Sequence, residues 1–371
     1  MSTQGNGRLL SLDALRGFNM FFITGGHAFL IALSLLVVGH KDSWLAVQMT
    51  HVDWIGLHIY DCIFPLFVFI TGVTFPFSTA KRLERGDSKA AVAMNVFRRT
   101  ALLVFFGLLY SSIQKMDWEH FRVWSVIGRV GLVWGMAALL TLFFRLRTCI
   151  AISVALLIGW WLLLRFVPAP DAPAGINPIL KGSTSICGWV DMHFLTTAHR
   201  HEGGLATIAM VPTALFGIWA GKYLMYSRQG LFEGRKTATM LVVAVCAIAA
   251  GCLWAIPSWG VPVVKSAWSS SYTLVTGGIS LALLAVFHWV IDVRGWTRWS
   301  FFFQVIGVNA IAAYLAVRFM PFETISRDFL GALPGAFKCP GWEITCVRLG
   351  KIVLLWLALL FLYRKKIFFK A

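Results

Sequence analysis

Residues 51–72, HVDWIGLHIYDCIFPLFVFITG, show how this chain is built. The first half of the stretch is polar and carries two histidines and two aspartates, whereas the second half is almost wholly apolar. An α-helix needs about 20 largely apolar residues to cross the hydrocarbon core of a bilayer, and the apolar run extends to residue 78. The stretch therefore predicts a polar loop that leads into a membrane-spanning helix.

The composition of the whole chain agrees with this interpretation. Of 371 residues, 58% are hydrophobic and 13% are charged, and the mean hydropathy is +0.74. These values exclude a water-soluble globular protein, and long uninterrupted apolar runs exclude the alternating pattern of a β-barrel. We predict an all-α, polytopic membrane protein that forms a single domain over residues 1–371.

About ten apolar stretches are long enough to span the membrane. They cover residues 15–38, 57–78, 92–113, 123–144, 149–167, 204–226, 237–257, 272–291, 299–320 and 349–369. Most Lys and Arg residues fall on one side of this arrangement, which by the positive-inside rule places both termini in the cytoplasm. The long loops 39–56, 168–203 and 321–348 then lie on the outer side.

The net charge of +17 arises from 33 Lys and Arg residues against 16 Asp and Glu residues. In a soluble domain this excess would suggest nucleic-acid binding, but here it orients the helices, and no nucleic-acid partner is expected. The cytoplasmic excess of positive charge attracts anionic membrane lipid and favours the approach of phosphate groups. The outer face is nearly neutral.

Ionisable residues inside a span are costly and are therefore candidates for function. Asp61 lies at the entry to the second span, and His51 is a group suited to proton exchange at neutral pH. Ten residues separate them, too many for a pair on one continuous helix. A turn around residues 53–56 would bring them together; the alternative for His51 is an interfacial histidine with a water or backbone partner.

Other polar residues within the apolar stretches have both a functional and a structural interpretation. Asp13 and Arg16 are spaced as a helical ion pair that anchors the first span, whereas the deep His27 has few structural explanations. Arg129 either snorkels or faces a cavity, Asn309 either bridges helices or faces a cavity, and Arg98 is either a topology signal or a phosphate contact. No CxxC or HExxH metal motif occurs. If the outer side is oxidising, Cys187, Cys339 and Cys346 are candidates for a disulfide.

Several motifs resemble those of a known family. SLDALRGFNM at residues 11–20 and the stretch 51–72 are similar to the transmembrane acetyltransferase family of heparan-α-glucosaminide N-acetyltransferase and its bacterial homologues. Further matches are VWSVIGRVGL around Arg129, EGGLATIAMVPTALFGIWAGKYL from Glu202 and GVNAIAAY around Asn309. The resemblance covers nearly the full length, and its most specific part is the pattern H-x-x-W-x-G-x-x-x-x-D-x-x-x-P.

The resemblance implies a helical membrane enzyme that moves an acetyl group from cytoplasmic acetyl-CoA to the amine of a terminal glucosamine on the far side. The catalytic histidine of the family falls on His51, and a position held by Asn in the lysosomal enzyme falls on His27. The catalytic candidates are thus His51, Asp61 and His27. Candidates for binding acetyl-CoA are Arg16, Arg98, Arg129 and Asn309, and candidates for binding the sugar are Asp53, Trp54 and Glu202.

The chemistry expected from these residues is direct acetyl transfer. A neutral imidazole at His51, oriented by Asp61 or Asp53, would take the proton of the attacking amine, while His27 or Asn309 polarises the carbonyl oxygen. An acetyl-histidine intermediate is the alternative mechanism. The alternative functions are an N-acetylglucosamine-related sugar transporter and an O-acetyltransferase of an envelope glycan. We expect an integral protein of the bacterial inner membrane, with an amino-sugar or glycan acceptor as partner and a homodimer as one oligomeric option.

Overall fold

The computed structural model describes residues 9–40, 42–112, 124–173, 175, 178–179, 184–194, 204–226, 233–330 and 341–369. Within these ranges the chain is helical and has no β-strand, only two isolated bridges that pair Ile55 with Val264 and Pro168 with Ser185. The chain forms two compact units. The first contains Met1–His51, His58–Ile63 and Leu283–Ala371, and the second contains Val52–Leu57 and Phe64–Ala282.

Nine helices of the described ranges are long and apolar enough to cross a membrane. They are Leu10–Val38, Ile59–Glu84, Lys89–Ser111, Val126–Phe143, Leu146–Phe166, Ala206–Tyr226, Gly234–Trp254, Ser270–Val293 and Trp342–Arg364. Phe301–Val308 and Ala310–Phe319 meet at Asn309 with a bend of 78°, and the pair counted as one bent span makes ten. The prediction of an all-α membrane protein with about ten spans is confirmed. The cytoplasmic location of the termini and the single domain stay predictions.

The first span is interrupted near its middle. It consists of the α-helix Leu10–Phe21, a π-helical turn Phe22–Gly26 and the α-helix His27–Val38. Gly25 has a φ of 142°, which is essentially accessible only to glycine. The π-helical turn inserts an extra residue into the helix, so the helix after it is rotated relative to the helix before it.

Close helix contacts in the first unit depend on glycine. A Cβ atom on Gly17 would collide with the backbone carbonyl of Phe303, and one on Gly307 would collide with that of Asp13. The helices Leu10–Phe21 and Phe301–Val308 therefore meet backbone to backbone. Such close approach is how small residues strengthen helix packing where the surrounding lipid is as apolar as the side chains.

The second unit uses the same device between its second and sixth spans. A Cβ atom on Gly217 or Gly221 would collide with the carbonyl of Phe69 or Val73, one turn apart on the second span. The core of this unit is apolar and includes the fully buried side chains of Trp268 and Tyr272.

The bounds of the tenth span differ from the prediction in a way that matters for function. The apolar stretch was predicted to begin at Leu349, after the last basic residue of the outer loop, but the helix begins at Trp342, after Gly341 with a φ of 83°. Arg348 and Lys351 therefore lie inside the helix. Hydropathy missed these two turns because Glu343 and Arg348 lie within them, and Arg348 is accommodated there by its ion pair with Glu323 at 2.6 Å.

Candidate active site

His51 and Asp61 form a hydrogen-bonded pair in the first unit. The Nδ1 atom of His51 lies 2.7 Å from Oδ1 of Asp61. The Asp61 side chain is fully buried, whereas 51% of the His51 side chain is exposed. The buried carboxylate thus holds an imidazole that a substrate can reach, as the spacing predicted for a turned loop.

Local hydrogen bonds fix the turn that brings the two residues together. Gly56, within the turn, has a φ of 129°. Across the two ends of the turn, the backbone N–H of Ile59 donates to the side chain of Gln48 at 3.1 Å. The imidazole of His58 donates to the carbonyl of Thr50, also at 3.1 Å. These contacts explain how ten residues of sequence separation become a direct contact.

The hydrogen bonds of Asp61 define which ring nitrogen carries the proton in neutral His51. A carboxylate only accepts hydrogen bonds, so in the neutral imidazole the proton resides on Nδ1 and the lone pair is on Nε2. The other oxygen of Asp61, Oδ2, accepts the backbone N–H of His58 at 3.0 Å. Both oxygens are therefore engaged, and the carboxylate cannot rotate without losing a bond.

His27 belongs to the same site. Tyr60 stacks on the imidazole of His51 at a centroid distance of 4.7 Å and on that of His27 at 4.4 Å. The two imidazoles therefore lie within roughly 9 Å of each other, a span bridged by one aromatic ring. The Nδ1 atom of His27 lies 2.8 Å from the carbonyl oxygen of Phe22 in the π-helical turn.

The contact of His27 with the carbonyl of Phe22 determines which of its ring nitrogens carries the proton, as Asp61 does for His51. A carbonyl oxygen only accepts, so Nδ1 carries the proton of neutral His27 and Nε2 carries the lone pair. Neutral His27 therefore accepts a hydrogen bond at Nε2 and cannot donate one there. This geometry favours contact with an N–H group over the predicted polarisation of a carbonyl oxygen.

Asn309 lies far from the two histidines. Its side chain donates to the carbonyl of Ile367 and accepts the backbone N–H of Phe369, both at 3.1 Å. Ile367 and Phe369 follow the end of the tenth span, whereas the stem of Lys351 on that span lies near Gly25, two residues before His27. About 20 Å of helix separates the two regions. The structure thus favours the helix-bridging interpretation of Asn309.

Arg16 also has a structural contact. Its guanidinium lies 3.3 Å from the buried carboxylate of Asp13, three residues earlier on the first span. This is the helical ion pair that the spacing predicted. The proposed role of Arg16 in binding acetyl-CoA stays a prediction.

The other candidates for binding acetyl-CoA or the sugar that the structure describes lie in the second unit. Asp53 and Arg98 are exposed, and Trp54 donates from its indole to the carbonyl of Ile179 at 2.7 Å. Arg129 is 5% exposed, and its guanidinium lies over the ring of Phe64 at 5.0 Å. Glu202 lies outside the described residues, as does Cys339. Cys187 and Cys346 are free thiols.

Asp191 is a buried acid that the sequence did not single out. It lies on the short helix Ile186–Phe194, is 1% exposed and accepts the backbone N–H of Leu205 at 3.4 Å. Burial raises the pKa of Asp191 to about 6, although this hydrogen bond and the positive charge of Arg129 oppose the shift. Sequence periodicity did not predict its burial, because it lies in the loop 168–203, outside the apolar stretches.

In the described part of the chain, no three His, Cys, Asp or Glu side chains cluster as metal ligands. No protein-family model matches the chain. The chain is 26% identical to human heparan-alpha-glucosaminide N-acetyltransferase over 98% of its own length and 60% of the relative. It is 25% identical to the mouse protein of that name over 83% of its own length and 53% of the relative. The chain therefore spans just over half the length of these relatives, and the resemblance that its motifs predicted, to the heparan-alpha-glucosaminide N-acetyltransferases, is confirmed.

Proposed function

We propose that this protein is a membrane-embedded acetyltransferase that moves an acetyl group from acetyl-CoA to the amine of a glucosamine-type sugar. The hydrogen bond of 2.7 Å between His51 and Asp61 is the observation that carries the proposal. It supplies an oriented base at the accessible end of a buried carboxylate, the arrangement that general base catalysis requires. The similarity to the two N-acetyltransferases supports the same reaction.

In the proposed reaction a proton moves in two steps, first from the sugar nitrogen to His51 and then from His51 to the sulfur of CoA. The nitrogen of the sugar attacks the thioester carbonyl carbon, and a C–N bond forms while the nitrogen passes a proton to Nε2 of His51. The tetrahedral adduct then collapses, its C–S bond breaks, and the departing sulfur takes the proton from the His51 imidazolium. Asp61 stabilises that imidazolium through Nδ1 and does not take up the proton in the reaction.

His27 has a supporting role in this proposal. The ring of His27 lies about 9 Å from that of His51, too far for one nitrogen to bond both. Nε2 of His27 therefore accepts a hydrogen bond from another donor of the sugar, such as a hydroxyl group, and helps to orient the acceptor. Tyr60, stacked on both imidazoles, keeps their mutual orientation. The acceptor is expected on the outer side of a bacterial inner membrane, and the donor is expected to enter from the cytoplasm.

The proposal is tested with the full-length protein purified in detergent. We expect glucosamine-dependent release of CoA from acetyl-CoA, and we expect His51→Ala to lower its rate by about 10²–10⁴-fold. His40→Ala is the matched control, because His40 is an exposed histidine of the same unit beyond the end of the first span. Full activity of His51→Ala would refute the assignment. Sugar uptake into CoA-free vesicles without acetyl-CoA consumption would support the transporter alternative instead.

A further inference from the structure

Three charged side chains meet near His27, and the reaction proposed above leaves them unused. Glu323, on the helix Phe322–Leu330, accepts from the guanidinium of Arg348 at 2.6 Å and from the ammonium of Lys351 at 3.3 Å. Both bonds go to the same oxygen, Oε2. Arg327 approaches the other oxygen at 3.8 Å, but two thirds of its side chain is exposed. The cluster thus carries more positive than negative charge.

The position of the cations connects them with the candidate active site. Arg348 and Lys351 are three residues apart on the tenth span and so lie on one face of that helix. The stem of Lys351 lies close to Gly25, and both cations interact electrostatically with His27. The Lys351 side chain is only 15% exposed. All of these contacts lie within the first unit.

A purely structural role does not require these charges. The helix Phe322–Leu330 is already attached to the tenth span through Ser326, which donates to the carbonyl of Val347 at 2.8 Å and packs against Gly350. Charged residues within a membrane span cost free energy and generally mark a binding or transport site. One carboxylate shared by two partly buried cations leaves them able to bind a second anion.

We infer that Lys351 and Arg348 form an anion-binding subsite for a carboxylate, sulfate or phosphate group carried by the acceptor sugar. This inference rests on the proposed acetyl transfer and specifies its substrate class, an acidic amino sugar or glycan end. Acetyl-CoA also carries phosphates, but the whole pantetheine arm separates them from the thioester. The substituents of an acceptor sugar lie within one ring of the amine, as these cations lie beside His27.

The inference predicts opposite effects for the two partners of the cluster. Lys351→Gln removes a charge-assisted hydrogen bond to the anion and raises the KM for glucosamine 6-phosphate about tenfold more than the KM for glucosamine. Glu323→Gln removes the competing carboxylate and lowers the KM for glucosamine 6-phosphate. We expect the wild-type protein to have a lower KM for glucosamine 6-phosphate than for glucosamine, and Lys351→Arg to keep this difference. If the cluster only held two helices together, both substitutions would destabilise the protein. Each would then change the KM values for glucosamine and glucosamine 6-phosphate equally.

The experiment measures KM for glucosamine, glucosamine 6-phosphate and acetyl-CoA in each variant, with Arg364→Gln as the control at the far end of the same helix. Equal changes for the two sugars in Lys351→Gln, or a rise confined to the KM for acetyl-CoA, would overturn the inference. Calorimetric binding of glucosamine 6-phosphate without acetyl-CoA keeps this test separate from the proposed function. Binding that depends on Lys351 in a protein without transferase activity would sustain the subsite and refute the transferase.

Discussion

Replacement of Asp61 by Asn tests the reasoning about the active site more strictly than removal of His51. The substitution preserves size and changes only one oxygen into an NH₂ group. The backbone N–H of His58 needs an acceptor, and the amide oxygen is the only atom of Asn that can serve it. The NH₂ group must then face Nδ1 of His51, at the position where Oδ1 now lies 2.7 Å away.

That rearrangement reverses the tautomer of the imidazole. An NH₂ group donates, so Nδ1 of His51 must become the acceptor and the proton moves to Nε2, where the attacking amine needs a base. The variant also loses the charge that stabilises the imidazolium. Where an Asp–His pair serves a nucleophile in proteases, the same change lowers kcat by about 10⁴-fold. We expect a loss of about 10³–10⁴-fold here, since direct attack by an amine depends on the base in the same way.

The assay is the rate of CoA release from acetyl-CoA with glucosamine, measured from pH 6 to 9 in Asp61→Asn and in Asp42→Asn. Asp42 is an exposed carboxylate of the same loop and serves as the control. Binding of acetyl-CoA and the thermal unfolding temperature are measured on the same samples to exclude misfolding. If Asp61→Asn kept more than a tenth of the wild-type rate with an unchanged pH profile, the assigned tautomer would be wrong.

Three further predictions concern residues around this pair and in the second unit. Gly25→Ala forces a side chain into a conformation with a φ of 142°, so we expect about 1–3 kcal/mol of destabilisation and a lower kcat, measured by chemical unfolding and acetyl transfer. Tyr60→Leu removes the ring stacked on both imidazoles; we expect kcat to fall about tenfold while the KM for acetyl-CoA changes less than twofold, and an unchanged kcat would contradict the stacking role. Asp191, whose pKa is raised to about 6, favours the folded state when it is neutral; relative to Asp191→Asn, the stability of the wild type should fall by about 3 kcal/mol between pH 4 and 6 and then stay constant. Parallel thermal unfolding curves of the two proteins across that range would contradict the third prediction.

The helical architecture was predictable because a bilayer imposes one requirement on every span. A helix that crosses hydrocarbon must be apolar over about 20 residues, and this signal is local in the sequence. The 78° bend of the ninth span has no such signal. Asn309 at the bend binds the backbone of Ile367 and Phe369, which are 58 and 60 residues further along the chain. A conformation that depends on contacts so distant in sequence cannot be deduced from local periodicity.

The candidate site was predictable to a similar extent. His51 and Asp61 stood out as ionisable groups at a membrane entry, and a turn that joins them was one of the two interpretations that the sequence left open. Tyr60 and Lys351 did not stand out. The stacking of Tyr60 depends on the π-helical turn that orients His27, and Lys351 was placed at the edge of an apolar stretch that in fact begins two turns earlier.

The shared tautomer of His51 and His27 also bears on how the product leaves. Both imidazoles have their Nδ1 protons committed to Asp61 or Phe22, so the lone pairs that remain select a partner that donates hydrogen bonds. In the proposed reaction, a free amine can donate either of its two N–H groups to Nε2 of His51, whereas an acetylated nitrogen has only one. Acetylation therefore removes one of two equivalent ways to form this hydrogen bond, and this statistical factor alone makes the amide bind about twofold more weakly than the amine. The lone pair that accepts the proton thus also favours release of the product.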